Sequence, residues 1–368
     1  METLEELYNT ATRSTASVFV TDNNIRSKIH SICRCNSNRA PIRFLLSAIL
    51  AKMDDNNIDM HRPYTSMGER SYAGRTYDEN IVQPFIHKYA LPCNATTAYL
   101  TPAFRTISEP IIKSIFNKCR PKEVYYEMVE IIDYLDNNHA ECRNALLEML
   151  SELHSIKEEN EKKISQYLSE ISNKPDSIEL SSDEILTLLS QHLQCNNSSR
   201  LPVLMITAAY LSVTDLIKEK PLPLNAHNAA DSQTKSLGDV EITLANEDAI
   251  VTCYEMKKKK VSIDDIYVCA VKISKISDHI DNYIIITTDI IEQDVADLAK
   301  TFYNSIGVEI AVLDCLGFIK HFLHFFHRRR SIFLNHYQKL VIEEPESAVS
   351  QPLKEAFLAL RKVAESEK

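Results

Sequence analysis

Apolar residues recur every third or fourth position through the first two hundred residues, and runs with strand character appear only after them. Residues 24–32 and 40–53 carry the helical spacing. From 61 to 106 the texture turns polar and aromatic. Pro63, Pro84, Pro92 and Pro102 cut it into short pieces, and the spacing predicts one helical segment over 78–83 that ends at Pro84. Helices are predicted again over 107–117, 122–137 and 140–172. In the last, Leu146, Leu150, Leu153, Ile156, Ile164, Leu168 and Ile171 make one stripe. Its heptad register breaks at Asn160 and Lys163, which favours a packed amphipathic helix over a long coiled coil. Ser181 and Glu184 form a capping box opening a helix over 183–193, and CNNSSR, 195–200, reads as a linker.

After residue 200 the order becomes regular. A buried helix over 203–217 stops before PLPL, and the polar loop NAHNAADSQTK leads to GDVEITLANEDAIVTCYEMKKKK at 238–260. There two β-branched runs flank the break ANED, the pattern of a hairpin. A helix over 264–276, the apolar strand YIIIT at 283–287, a helix over 293–306, a strand over 308–313 and an aromatic helix over 318–340 follow. The expected fold class is α/β, a mixed β-sheet flanked by helices behind a mainly helical N-terminal region. Three segments result: 1–200, helical; 201–342, the sheet-bearing core; 343–368, a C-terminal helical tail.

Composition narrows the chemistry. The chain has 368 residues and only 5 glycines, with neither GxGxxG nor GxxxxGK[ST], which disfavours dinucleotide oxidoreductases and P-loop NTPases. No GxSxG nucleophile elbow occurs. Nine scattered cysteines without CxxC read as reduced thiols, and the N-terminus lacks a signal pattern, so a cytoplasmic, bacterial setting is expected. No run of eighteen consecutive apolar residues suggests a membrane span. The net charge of −10 argues against indiscriminate nucleic-acid binding, though not against a local basic cleft.

The chemistry is expected in the hairpin. On a strand, residues two apart share a face, so Glu255 and Lys257 point together, as do Asp239 and Glu241. If the hairpin turns at ANED, the Asp239 end lies beside the Glu255 end. Two carboxylates that hold a hard cation such as Mg²⁺, with a lysine beside them, are what phosphodiester hydrolysis needs. Glu241 is a possible third carboxylate, or an exposed strand residue.

The acid, the gap and Glu-x-Lys, with their helix–hairpin–helix–strand surroundings, resemble the signature of the PD-(D/E)xK nuclease superfamily, with Gly238 where the motif has proline. The block PYTSMGERSYAGRTYDENIVQPFIHKYALPCNATTAYLTPAFR, 63–105, resembles a characteristic stretch of SacI-family type II restriction endonucleases. That resemblance implies a Mg²⁺-dependent enzyme cutting both strands of DNA at a short palindrome, a GC-rich six-base site being the first guess. Its genetic partner would be a DNA methyltransferase. The catalytic set would be Asp239, Glu255 and Lys257, with Asp239 and Glu255 on the metal. A palindromic cutter is most simply a homodimer. Another PD-(D/E)xK nuclease, in repair or modification-dependent cleavage, and a non-catalytic helical binding protein stay open as alternatives.

Candidate DNA contacts are Arg70, Arg75 and Arg105 in the block, Asn225, His227, Asn228 and Lys235 in the loop before the hairpin, and Lys259 beyond Lys257. Each has a structural alternative: arginines that knit an irregular segment, a solvated connector, or lysines that guard a strand end.

Overall fold

The computed structural model describes residues 3–14, 18–94, 96–172, 179–224, 236–247, 249–274 and 280–366. Asn225, His227, Asn228 and Lys235 lie outside the described residues. The chain divides into two compact units, Met1–Lys162 and Lys163–Lys368. Among the described residues, 163–172, 179–200 and 343–366 belong to the same unit as the sheet, while the sequence reading draws boundaries at 200 and 342.

The first unit is helical: α1 (Leu4–Arg13), α2 (Asn23–Arg34), α3 (Ala40–Asp54), α4 (Gly74–Tyr77), α5 (Gln83–Tyr89), α6 (Lys122–Asn137) and the start of α7 (Cys142–Ser172). Helix α3 is its axis. Largely apolar, with Pro41 in its first turn, it is buried from Ala40 to Lys52. Two expectations fail here. The 78–83 segment does not end at Pro84: a π-helical stretch, Asp78–Val82, joins α4 to α5 and sets Pro84 in the first turn of α5, where its missing N–H does no harm. The expected helix over 107–117 shrinks to one 3₁₀ turn, Lys113–Phe116, because Pro110 sits inside it.

The 63–105 block packs on α3. Asp78 and Arg43 form a salt bridge (2.9 Å) whose side chains are both 0% exposed. The same carboxylate accepts hydrogen bonds from the Thr97 hydroxyl and the Ala98 N–H, while Arg43 also donates to the Asn94 carbonyl (2.5 Å) and Gln83 Oε1 (3.1 Å). A β-carbon on Gly74 would overlap the buried Tyr99 ring. The pieces AGRTYDE and LPCNATTAY thus belong together sterically as well as in sequence.

The second unit holds a five-stranded sheet: β1 (Glu219–Pro221), β2 (Val240–Leu244), β3 (Ile250–Lys257), β4 (Asn282–Thr287) and β5 (Glu309–Asp314), adjacent in that order. β1–β2 and β2–β3 are antiparallel; β3–β4 and β4–β5 are parallel. The fold is α/β with a mixed sheet, as the element pattern implies. The helices are α8 (Ser182–Gln194), α9 (Leu201–Ile217), α10 (Ile263–Ser274), α11 (Gln293–Thr301), α12 (Tyr303–Ile306), α13 (Cys315–Phe325), α14 (Arg330–Glu343) and α15 (Gln351–Ser366). The expected capping box opens α8: Glu184 N–H donates to Ser181 Oγ and Ser181 N–H to Glu184 Oε2. The aromatic helix breaks at Phe326–Arg329 into α13 and α14.

Alternation along the strands divides the side chains between two cores. Val240, Ile242, Tyr254 and Ile286 pack with α9, α13, α14, α8 and α15. Cys253, Tyr283, Ile285 and Ile310 pack with α10 and α11. The helical stretch Ser198–Ile217 is apolar enough by composition to cross a membrane, although no unbroken apolar run marks it; 67% of its apolar window is buried in the protein.

Candidate active site

The hairpin brings Asp239 to Glu255. Val240 pairs with Tyr254 and Glu241 with Cys253, and Asp239, in the bend just before β2, is held against the Tyr254–Met256 stretch that bears Glu255. Backbone and side chain both lock this arrangement. Asp239 N–H donates to the Tyr254 carbonyl (2.7 Å), and Met256 N–H donates to Asp239 Oδ2 (2.8 Å). A β-carbon on Gly238 would lie 2.6 Å from the Tyr254 carbonyl oxygen, so this approach of the strands requires glycine. The proline of the superfamily motif would not fit here.

Glu255 and Lys257 share that face, 22% and 26% exposed, with Lys257 Nζ 3.7 Å from Glu255 Oε1. Three groups that the sequence analysis passed over join them. Asp265 of α10 lies 3.5 Å from Lys257 Nζ, Lys272 of the same helix 3.8 Å from Glu255 Oε2, and the Tyr283 hydroxyl lies within hydrogen-bond reach of Glu255 Oε2 (3.2 Å) and the Leu237 carbonyl (3.1 Å). Asp265 and Lys272 are seven apart, two helical turns, so one face of α10 carries both over the carboxylate. That spacing is readable in sequence; which face of the helix meets the sheet is not.

The electrostatics keep Lys257 charged. Burial lowers its pKa, but Glu255 and Asp265 outweigh that and raise it above the ordinary lysine value. The general expectation that a buried lysine loses its proton does not hold here. Burial and the Glu255 charge push the Tyr283 phenol up. Burial raises the Cys253 thiol to about 12 and Cys269 to about 11, so neither neighbour is a nucleophile.

Glu241 shares the face, but its Oε1 accepts from Leu237 N–H (2.6 Å) and the Ser236 hydroxyl (3.0 Å), tying down the segment before β2. Lys259 is exposed and lies past the end of β3; its carbonyl accepts from the Thr287 hydroxyl (3.2 Å). Lys258 and Lys260 bond Ser198 and Glu292. In the other unit, Arg70 is exposed, with φ of 62°, and donates to the Asn57 carbonyl (2.9 Å). Arg75 is exposed and pairs with Glu79 (2.8 Å). Arg105 is exposed; its N–H donates to the Thr101 carbonyl (3.0 Å), while its guanidinium has no hydrogen-bond or ion-pair partner among the described residues.

A second cluster of donors lies in the first unit. Asp59, His61 and Asp136 place ligand atoms within 4.8 Å of one another and could hold a metal ion. Without one, burial lowers the His61 pKa, but Asp136, Asp133 and Asp59 outweigh it and hold a proton on the ring to about 9. Asp59 and His61 stand more than seventy residues from Asp136 in the sequence, so no local motif announces the group.

Comparison with known protein families and with curated proteins finds no match to this chain.

Proposed function

We propose that the chain is a Mg²⁺-dependent DNA endonuclease built on a PD-(D/E)xK core, of the SacI-like type II restriction kind. The observation that carries the reading is the register of β2 on β3. It holds Asp239 against the stretch of β3 that bears Glu255, and Glu255 shares its face with a charged lysine, Lys257. The order α9, hairpin, α10, β4 and the parallel β3–β4 pairing agree with it.

The donors fit a hard cation. They are carboxylate oxygens without sulfur or imidazole, and Asp239 keeps Oδ1 free of partners among the described residues. Asp239 and Glu255 would hold Mg²⁺, which when bound supplies positive charge at the scissile phosphate and acidifies water. Lys257, kept cationic by Glu255 and Asp265, faces the charge that develops on the phosphoryl oxygens. Asp265 and Lys272 hold the lysine and the glutamate in place. Double-strand cleavage at a palindrome calls for two such sites, hence a homodimer, with a DNA methyltransferase protecting the host sequence.

Digestion of unmethylated plasmid and phage DNA tests this. Discrete bands in Mg²⁺, absent in EDTA and reduced about 100- to 1000-fold or more in Lys257→Ala and Glu255→Gln, are expected. A smear would replace restriction with a repair or nonspecific nuclease. No cleavage, with no Mg²⁺ binding by calorimetry, would overturn the catalytic reading.

A further inference from the structure

We propose that Asp59, His61 and Asp136 form a second, non-catalytic cation site, for a divalent transition-metal ion such as Zn²⁺ or Mn²⁺, that fastens the turn after α3 to α6. It stands independently of the nuclease reading.

The geometry has three parts. First, His61 Nδ1 lies 3.0 Å from Asp59 Oδ1 and 3.7 Å from Asp136 Oδ2. Such separations suit ligands each about 2.0–2.2 Å from one shared ion. Second, the far ring nitrogen, Nε2, lies 2.9 Å from Asp133 Oδ1, one turn before Asp136 on α6. A carboxylate behind a ligating imidazole fixes the tautomer and aims the opposite lone pair at the metal. Third, each ligating carboxylate has its other oxygen held: Asp136 Oδ1 by Lys52 Nζ (2.8 Å) and Asp59 Oδ2 by Arg62 Nε (3.0 Å). That leaves Asp59 Oδ1 and Asp136 Oδ2 turned to the ring.

Charge and access agree. Lys52 and Arg62 offset two of the three aspartates, so with a neutral imidazole the cluster keeps one negative charge for a cation. Side chains 16% to 20% exposed leave room for water to complete the coordination. The imidazole nitrogen selects against Mg²⁺ and Ca²⁺, which take oxygen ligands. The site would anchor the start of the 63–105 block, because Pro63 follows the His61–Arg62 turn directly.

The test uses the full chain, stripped with chelator and dialysed. Titration with Zn²⁺ and Mn²⁺ by calorimetry, and with Co²⁺ by visible absorption, should show one tight equivalent that Mg²⁺ does not displace. His61→Gln should lose it, and the exposed outer residue change Asp133→Asn should weaken it about 10- to 100-fold. Asp239→Asn and Glu255→Gln should keep it, which separates this site from the catalytic one. Circular dichroism confirms that the variants fold, and the wild-type titration stands whatever they do. No tight equivalent in the wild type, or one lost only with Asp239 or Glu255, would overturn the proposal.

Discussion

The Arg43–Asp78 pair of the first compact unit and the Asp239, Glu255 and Lys257 group of the second differ in how completely their bonds are made. Arg43 and Asp78 are sealed, with 0% exposed side chains, and every partner comes from α3 or the 63–105 block. Asp239, Glu255 and Lys257 sit at the ends of the inner strands β2 and β3, where Asp239 retains an oxygen without a partner among the described residues and the lysine contacts are 3.5 and 3.7 Å. The first arrangement specifies a fold; the second leaves capacity for a ligand. The 63–105 block is therefore, at its centre, a packing device, and the proposed function places the chemistry in the other unit.

The largest effect should come from breaking the sealed pair. Asp78→Ala strands a buried guanidinium and is expected to cost about 3–5 kcal/mol, read as a lowered urea midpoint. Glu255→Gln should leave that midpoint nearly unchanged while cleavage disappears. Equal losses of stability at both positions would erase the contrast.

Next is the strand approach that builds the open cluster. Gly238→Ala forces a β-carbon onto the Tyr254 carbonyl and is expected to cost about 1–3 kcal/mol. It also spreads Asp239 from Glu255, so activity should fall further than stability. A fully active Gly238→Ala protein would mean that the Asp239–Glu255 pairing is not what cutting requires.

The units should also respond to pH with opposite sign. His192 of α8 is neutral in the fold: Nε2–H donates to the Leu353 carbonyl (3.0 Å), and the Tyr337 hydroxyl donates to Nδ1 (2.9 Å). Burial, only partly offset by the Leu353 bond, lowers its pKa to about 4. Its contribution is full above the unfolded value near 6.5 and falls as pH drops toward 4, by at most about 1.4 kcal/mol per pH unit for one proton. In the first unit, His30 is raised by its bond to Glu148 (2.7 Å), with burial opposing and Glu152 assisting. Its contribution is full below about 6.5 and fades as pH rises through the raised value. Melting followed from pH 4 to 9 should show acid loosening the sheet unit, with a slope reduced in His192→Gln, and alkali loosening the helical one, with a slope reduced in His30→Gln and reduced again when His61, raised to about 9, is also replaced by Gln.

How much of this was legible in the sequence follows from the range of each interaction. The hairpin is readable because strand side chains alternate with period two and ANED marks a turn, so Glu255 and Lys257 share a face and Asp239 comes to the same end of the hairpin. The convergence of Asp265 and Lys272 was not, since it depends on the rotation of α10 against the sheet, which tertiary packing sets. Pro84 was overread as a terminator because a π-turn can absorb it, and Pro110 was underread inside 107–117. The Asp59–His61–Asp136 group joins a turn to a distant helix, a contact that local periodicity cannot report.

The smallest effects concern the exposed arginines, and they decide what the block does beyond packing. Arg75 is tied to Glu79 on the surface and the Arg105 guanidinium has no partner among the described residues, so replacing either by alanine should shift stability by no more than about 0.5 kcal/mol. If the block also faces DNA, Arg105→Ala should lower affinity for all sequences alike and reduce the slope of log affinity against log salt by about one, the mark of a lost phosphate contact. Arg75→Ala should do less, because its guanidinium is already engaged. An unchanged slope in both variants would confine the block to packing and move the search for DNA contacts to the sheet unit.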